Sequence, residues 1–292
     1  MNKIFRIGDF CFRLIMPDNV QPPKNFMLFE QAESEPAYTY TIELGQSVPG
    51  PRGKMVAQRR DIVVFEEDGL EMRYIGFPDG QGMYACYREE DHAHASVFLA
   101  PGILPMLMID TVFLALFCME RHMLRMDHLV LHCAYMQREG QAILFSAPSE
   151  TGKTTQATLW EKYRGTRVVN GDKSLLTKND GVWTANGWPV CGSSEVCHNE
   201  SMPIRAIVML SQGKTDTIEK LSPFQAFSKI YSQITVNFWN KDAQKKAMDL
   251  IEELVTSIPV YHLSCTISED AVICLENMLI ADEKKDQPRN EA

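Results

Sequence analysis

A short apolar strand, Ala142-Ile143-Leu144-Phe145, runs through Ser146-Ala147-Pro148-Ser149-Glu150-Thr151-Gly152-Lys153-Thr154-Thr155 directly into a helical pattern. A strand that hands its chain through a tight turn to a helix sets the fold class as α+β or α/β. Counted back from Gly152-Lys153-Thr154, the loop meets the pattern G-x-x-x-x-G-K-[ST] at every position but the first, where Ala147 stands for glycine. An ordinary strand, turn and helix with an incidental lysine is the plainer reading. Strand before, helix after and Gly-Lys-Thr at the junction favour phosphate binding over it.

In such a loop, consecutive backbone N–H groups wrap phosphate oxygens, and the helix N-terminus adds the positive end of its dipole. Gly152 turns the chain without a Cβ in the way. Lys153 brings a compact ammonium to the outer phosphates, and the Thr154 hydroxyl is placed to help hold Mg²⁺, whose other positions are filled by water and phosphate oxygens. Ser149, Glu150 and Thr151 complete the loop, with Thr155 as a capping or packing residue. Along the helix, Ala157, Leu159 and Trp160 are expected to face a sheet.

Two residues outside the loop are candidates for the chemistry. Arg167 to Leu176 reads as a buried strand ending in a polar turn, and Asp172 in that turn stands 19 residues beyond Lys153. Phosphoryl transfer needs a carboxylate for Mg²⁺, and none lies closer in a suitable setting. An exposed turn aspartate is the alternative. His132 lies in a β-hairpin, His128 to Met136 and Ala142 to Phe145, that delivers the chain into the loop. It could donate to phosphate or assist proton transfer; a satisfied core histidine is the equal alternative. Asn179-Asp180-Gly181 signals a second hairpin, followed by Gly187-Trp188-Pro189-Val190-Cys191-Gly192-Ser193-Ser194.

With Ser149 three residues before the Gly-Lys pair, the loop resembles that of phosphoenolpyruvate carboxykinases and HPr kinases. Leu131-His132-Cys133 is similar to the Val-His-Gly stretch upstream of the loop in HPr kinases, and Gly187 to Ser194 is similar to a segment that their bacterial relatives place beside the nucleotide. The resemblance covers roughly half the chain. It implies a PEP carboxykinase-like P-loop nucleotide-binding domain with ATP and Mg²⁺ as cofactors. It also implies catalytic roles for Lys153, Asp172 and His132, nucleotide contacts from residues 149–155, metal contacts from Thr154 and Asp172, and further donors from Gly192, Ser193 and Ser194. Three departures accompany it. Glu150 stands where the relatives carry glycine, Gly171 stands where they carry the first of two adjacent aspartates, and the Arg-Gly-Leu-Gly segment of true HPr kinases is absent. The chain is thereby read as a relative rather than an HPr kinase proper, with Asp172 covering one or both roles of the aspartate pair.

A net charge of −9 disfavours a nucleic-acid surface, which is built from clustered Lys and Arg. Met1 to Arg13 lacks a signal-peptide pattern, so a cytoplasmic protein is expected. The longest apolar run, Ile103 to Met119, contains Pro105 and Asp110 and falls short of the roughly 18 uncharged residues of a membrane helix. A buried connecting helix is expected instead, with no membrane partner. The 8 cysteines include no C-x-x-C pair, and neither Cys191 with Cys197-His198 nor His92-x-His94 matches a zinc spacing, so reduced, buried thiols are expected.

The chain is expected to divide into a β-rich, antiparallel domain over 1–100, a connecting helix over 101–126, the nucleotide-binding domain over 127–282 and a frayed tail over 283–292. Three functions fit. The leading one is an ATP-dependent kinase moving the γ-phosphoryl to a hydroxyl, a serine of a peptide or small protein by resemblance. The others are a nucleotide-binding regulator that has lost catalysis and a phosphoenolpyruvate carboxykinase-like enzyme. The resemblance also leaves a homo-oligomer open.

Overall fold

The computed structural model describes residues 1–286 except 33, 46, 78 and 81, and the side chains of 285 and 286 are likewise outside it. The fold is mixed α/β with two large sheets. The first sheet contains β1 (Asn2–Ile7), β2 (Phe10–Ile15), β3 (Glu30–Gln31), β4 (Tyr38–Leu44), β5 (Lys54–Gln58), β6 (Ile62–Glu67), β7 (Leu70–Gly76), β8 (Met83–Glu89) and β9 (His94–Leu99) in the order β3-β1-β2-β4-β9-β8-β7-β6-β5. Side chains of successive strand residues point to opposite faces. Phe10, Phe12 and Leu14 of β2 therefore join Tyr38, Tyr40 and Ile42 of β4 in one buried aromatic core, completed by Phe26 of α1 (Lys24–Met27).

The sheet is not wholly antiparallel, as its alternating pattern suggested. β4 runs parallel to both β2 and β9. A period of two reports which face is buried and is blind to strand direction.

The expected connecting helix over 101–126 is also corrected. The segment is a 3-10 run over Pro101–Met108, then α2 (Asp110–Ala115) and α3 (Met119–Arg125). Pro105 removes a backbone donor, Ile109 is extended, and Cys118 takes a left-handed conformation at φ 49°, so the apolar run cannot continue as one helix.

The second sheet contains β10 (Leu129–Arg138), β11 (Gln141–Ser146), β12 (Arg167–Asn170), β13 (Lys173–Asn179), β14 (Val182–Asn186), β15 (Ser201–Gln212), β16 (Thr217–Lys220) and β17 (Val260–Cys265). β10 is shared along its length: its first half pairs with β13 and its second half with β11 and β12. β11 also pairs in parallel with β15, which closes a circuit of strands β11-β10-β13-β14-β15. One face is covered by α4 (Lys153–Arg164) and α7 (Glu269–Asp286), with Ala157 and Trp160 buried against Ala271, Val272 and Leu275. α5 (Pro223–Tyr231) and α6 (Lys241–Ser257) cover the other face through Ala226, Ile230, Leu250 and Leu254. Ser222 and Gln225 form a reciprocal cap at the start of α5, and the Asn240 side chain accepts the Ala243 N–H at the start of α6. Where a tail was expected from residue 283, α7 continues to Asp286; 287–292 lie outside the described residues. Among the described residues no helix is long and apolar enough to cross a membrane, and all 8 cysteines are free thiols.

The two halves meet around α3. His122 is buried between Phe10 and Tyr38, with ring centroids 5.4 and 4.3 Å away. Burial pushes its pKa down to about 4; Glu89 opposes that push, and Arg125 reinforces it. Because the folded pKa lies below the ordinary 6.5, the unfolded chain takes up a proton that the folded one refuses, and stability is lost as pH falls from 6.5 toward 4. Urea unfolding is expected to show a loss of about 2 kcal/mol between pH 7 and pH 5. The His122→Phe variant should lack that loss. The neighbouring Glu89 and Glu120 carboxyls sit below their ordinary 4.5: burial raises them, but Arg121 and Arg73 respectively outweigh it. Their contribution is therefore present above pH 4.5 and fades only as pH falls through their depressed values, which separates their effect from that of His122.

Candidate functional site

The pairing of β10 sets the site. His132 is the last residue of β10 paired with β13, opposite Lys173, and Cys133 is the first paired with β11, opposite Ser146. His132 thus stands above the end of β11, where the Ala147–Gly152 loop begins. The Ser146 hydroxyl donates to the His132 carbonyl at 2.8 Å, and the His132 N–H donates to the Gln233 carbonyl at 3.0 Å.

The loop is shaped by its own backbone. Thr151 donates its hydroxyl to the Pro148 carbonyl at 2.9 Å, and Gln212 reaches across from β15 to the Glu150 carbonyl at 3.4 Å. Gly152 takes φ 110°, which lets the chain reverse into α4. Glu150 is also left-handed, at φ 65°, a conformation that costs an L residue about 1–2 kcal/mol. That conformation explains physically why glycine suits this position. Its side chain is exposed, as is that of Ser149.

α4 begins without a side-chain cap, so the N–H groups of its first turn have no partner within the helix. Lys153 is 7% exposed, and its ammonium donates to the Ala147 and Pro148 carbonyls at 3.0 and 3.2 Å. Burial lowers its pKa, with the Asp172 carboxylate acting in opposition. Thr154 donates its hydroxyl to the Gly171 carbonyl at 3.1 Å, which ties the start of α4 to the turn between β12 and β13. Thr155 is half-buried within α4.

That turn carries Asp172. The strand read from Arg167 ends here as β12, and β13 starts beyond the turn at Lys173. Asn170 makes the break: its side-chain oxygen accepts the N–H groups of Asp172 and Lys173 at 2.8 and 3.0 Å, an arrangement that competes with strand pairing. Its amide nitrogen donates to the Trp188 and Val190 carbonyls. The Asp172 carboxylate lies 3.5 Å from His132 Nε2. Burial pushes its pKa up, but His132, Lys173 and Lys153 together outweigh it and hold the group below the ordinary carboxylate value. The structure therefore brings Lys153, Thr154, Asp172 and His132 to one end of β11.

Gly171 has a reason of its own. A Cβ at this position would lie 2.0 Å from the Ser194 Oγ. The hydroxyl of Ser194 donates to the Cys191 carbonyl at 2.6 Å and accepts the Val196 N–H at 3.2 Å, so it is occupied in folding its own loop. Ser193 and Gly192 beside it are exposed. An aspartate at 171 could be seated only by displacing Ser194. Sequence reading missed Asn170 and Gln233, and it gave Ser194 the part of a nucleotide donor rather than that of a loop-folding residue. Asn170-Gly171 was a visible turn signal, whereas Gln233 lies 101 residues from His132 and carried none.

Among the described residues no group of three or more His, Cys, Asp or Glu gathers to hold a metal ion. One carboxylate and one hydroxyl, Asp172 and Thr154, stand beside the Ala147–Gly152 loop, a donor set of the kind that suits Mg²⁺, which keeps most of its water.

The family profile of the SynChlorMet cassette protein ScmC matches residues 104–279. The chain belongs to the ScmC family. The ScmC match starts in the 3-10 segment and ends in α7, so it encloses Lys153, Thr154, Asp172 and His132 while leaving the first sheet outside. No curated protein matches the chain. Among solved structures, the Hpr(Ser) kinase/phosphatase from Coxiella burnetii is similar over 53% of this chain and 98% of that one, at 9% identity and a TM-score of 0.32. A likeness that slight says nothing about chemistry.

Proposed function

We propose that this ScmC-family chain is an ATP-dependent phosphotransferase that moves the γ-phosphoryl group to a hydroxyl, with a serine of a peptide or small protein as acceptor. The observation that carries the reading is the meeting of Lys153 and Thr154, at the uncapped start of α4, with the Asp172–His132 pair. The Lys153 ammonium has carbonyl oxygens and no carboxylate as hydrogen-bond partners among the described residues, which leaves its charge for an anion. Bound Mg²⁺, held by Thr154 and Asp172, would neutralise charge on the phosphates. Lys153 and the first-turn amides of α4 would bind and orient the phosphoryl oxygens. Asp172, ionised at neutral pH, or its neighbour His132 would take the acceptor hydroxyl proton. Gln233 and Ser146 hold the backbone on which His132 sits.

The test is transfer of label from γ-labelled ATP and Mg²⁺ to a pool of serine-containing peptides. Parent protein is expected to label peptide, and Asp172→Asn to lower turnover by about 10²-fold or more, the effect of losing a positioned base. Equal turnover in parent and variant would remove Asp172 from the mechanism. A catalytically silent nucleotide-binding regulator is the second reading, favoured by Ser194 filling the space where a second aspartate would need its Cβ. Mg-ATP binding by the parent without any transfer would select it.

A further inference from the structure

We propose that Asn25 and Asp110 are positioning residues for the Asp172 turn, so that the candidate site is completed by residues from the first part of the chain. This rests on the phosphotransfer reading above. The Asp172 turn leans on the 188–194 loop twice. Asn170 joins the two through the Trp188 and Val190 carbonyls, at 2.8 and 3.0 Å. Gly192 also abuts the carboxylate itself: a Cβ there would lie 3.3 Å from Asp172 Oδ1. Wherever this loop goes, the carboxylate goes with it.

The loop is anchored by two side chains. Asp110 Oδ2, at the start of α2, accepts the Cys191 N–H at 2.9 Å and lies 3.5 Å from the Cys191 thiol. Asn25, in α1, donates its amide to the Pro189 carbonyl at 2.7 Å and to the same Asp110 oxygen at 3.1 Å. Asp110 Oδ1 accepts the Thr111 N–H at 2.6 Å, so both carboxylate oxygens are engaged in holding backbone. One oxygen and one amide nitrogen thus secure Pro189 and Cys191 from outside the loop, just before Gly192 meets Asp172. Asn25 lies outside the ScmC match and Asp110 inside it. The first sheet and its helix therefore act on the chemistry through a named path. Asn25 holds Asp110 and the loop, and the loop holds Asn170, Asp172 and, through Ser194, the seat of Gly171.

The experiment compares Asn25→Ala and Asp110→Asn with Asn199→Ala. The last variant removes a different bond between the same regions, Asn199 Nδ2 to the Leu28 carbonyl at 3.3 Å, and leaves the Asp172 turn alone. Label transfer and hydrogen exchange at the Asp172, Lys173 and Cys191 amides are measured on the full chain. Asn25→Ala and Asp110→Asn are expected to lower kcat about tenfold or more while leaving KM for Mg-ATP near the parent's, because a misplaced group costs rate rather than ground-state binding. Exchange at the three amides should quicken in both, and Asn199→Ala should match the parent in every readout. Parental kcat and parental protection in Asn25→Ala would overturn the proposal, as would an equal loss in Asn199→Ala, which would mark general docking of the two regions. Should the parent itself transfer no label, the phosphotransfer reading fails. The exchange data then decide the positioning role by themselves: faster exchange in the two variants supports it and unchanged protection overturns it.

Discussion

Lys153→Ala is expected to abolish the calorimetric signal of Mg-ATP binding and to cut phosphoryl transfer by about 10²–10³-fold, some 2.7–4 kcal/mol of transition-state stabilisation. The size follows from the setting of the side chain. Lys153 is 7% exposed, and its ammonium is held by two carbonyl oxygens rather than a carboxylate. Burial lowers its pKa, and the Asp172 carboxylate opposes that change. A charge in such surroundings interacts with phosphate oxygens through little screening solvent. The folded chain has little to lose with it, since both carbonyl partners sit in a loop whose shape is also set by Thr151 and Gln212. The variant should therefore unfold in urea at nearly the parent's midpoint, which separates lost binding from lost structure. Calorimetric titration of Mg-ATP into both proteins checks this, and equal heats would take the Ala147–Gly152 loop out of nucleotide binding.

Arg121→Ala is expected to cost about 3–5 kcal/mol of folding stability, a large share of the roughly 5–15 kcal/mol that holds a typical domain. Arg121 of α3 donates to Glu89 at 2.8 Å, to Glu71 at 2.7 Å and to the Gly69 carbonyl at 2.6 Å. Glu71 and Glu89 are 0% and 2% exposed, on β7 and β8 of the first sheet. Arg73 still pairs with Glu71 and with Glu120, and Arg125 lies 3.5 Å from Glu89, so the variant retains part of the compensation. The destabilisation comes from leaving two carboxylates short of a partner where water cannot replace it. Adding Glu89→Gln to Arg121→Ala should recover part of the loss, because it removes one of the stranded charges. Urea unfolding of the parent, single and double variants measures both effects. An additive double variant would show that the two residues are not coupled.

Much of the second sheet's local structure was legible because it is encoded over short distances. Gly152-Lys153-Thr154 after an apolar strand announces the loop, and Asn179-Asp180-Gly181 turns β13 into β14. The helix over 101–126 failed because apolar content was read as continuity, whereas Pro105 and the left-handed Cys118 divide the run. The parallel placing of β4 had no local signal, since both strand directions bury the same alternate residues.

What the sequence determined by itself is the set of local devices: which residues turn, cap and alternate, and which loop could wrap a phosphate. Those depend on neighbours a few positions away, so they are written in the order of residues. Only the tertiary structure decided which side chains meet. His132 and Asp172 lie 40 positions apart and come to 3.5 Å because β10 pairs with both β11 and β13. Asn25 reaches Pro189, 164 positions away, and Arg121 reaches Glu71 from another element, 50 positions away. Such pairs depend on strand order and layer packing. These minimise free energy over the whole chain, so no window of sequence contains them.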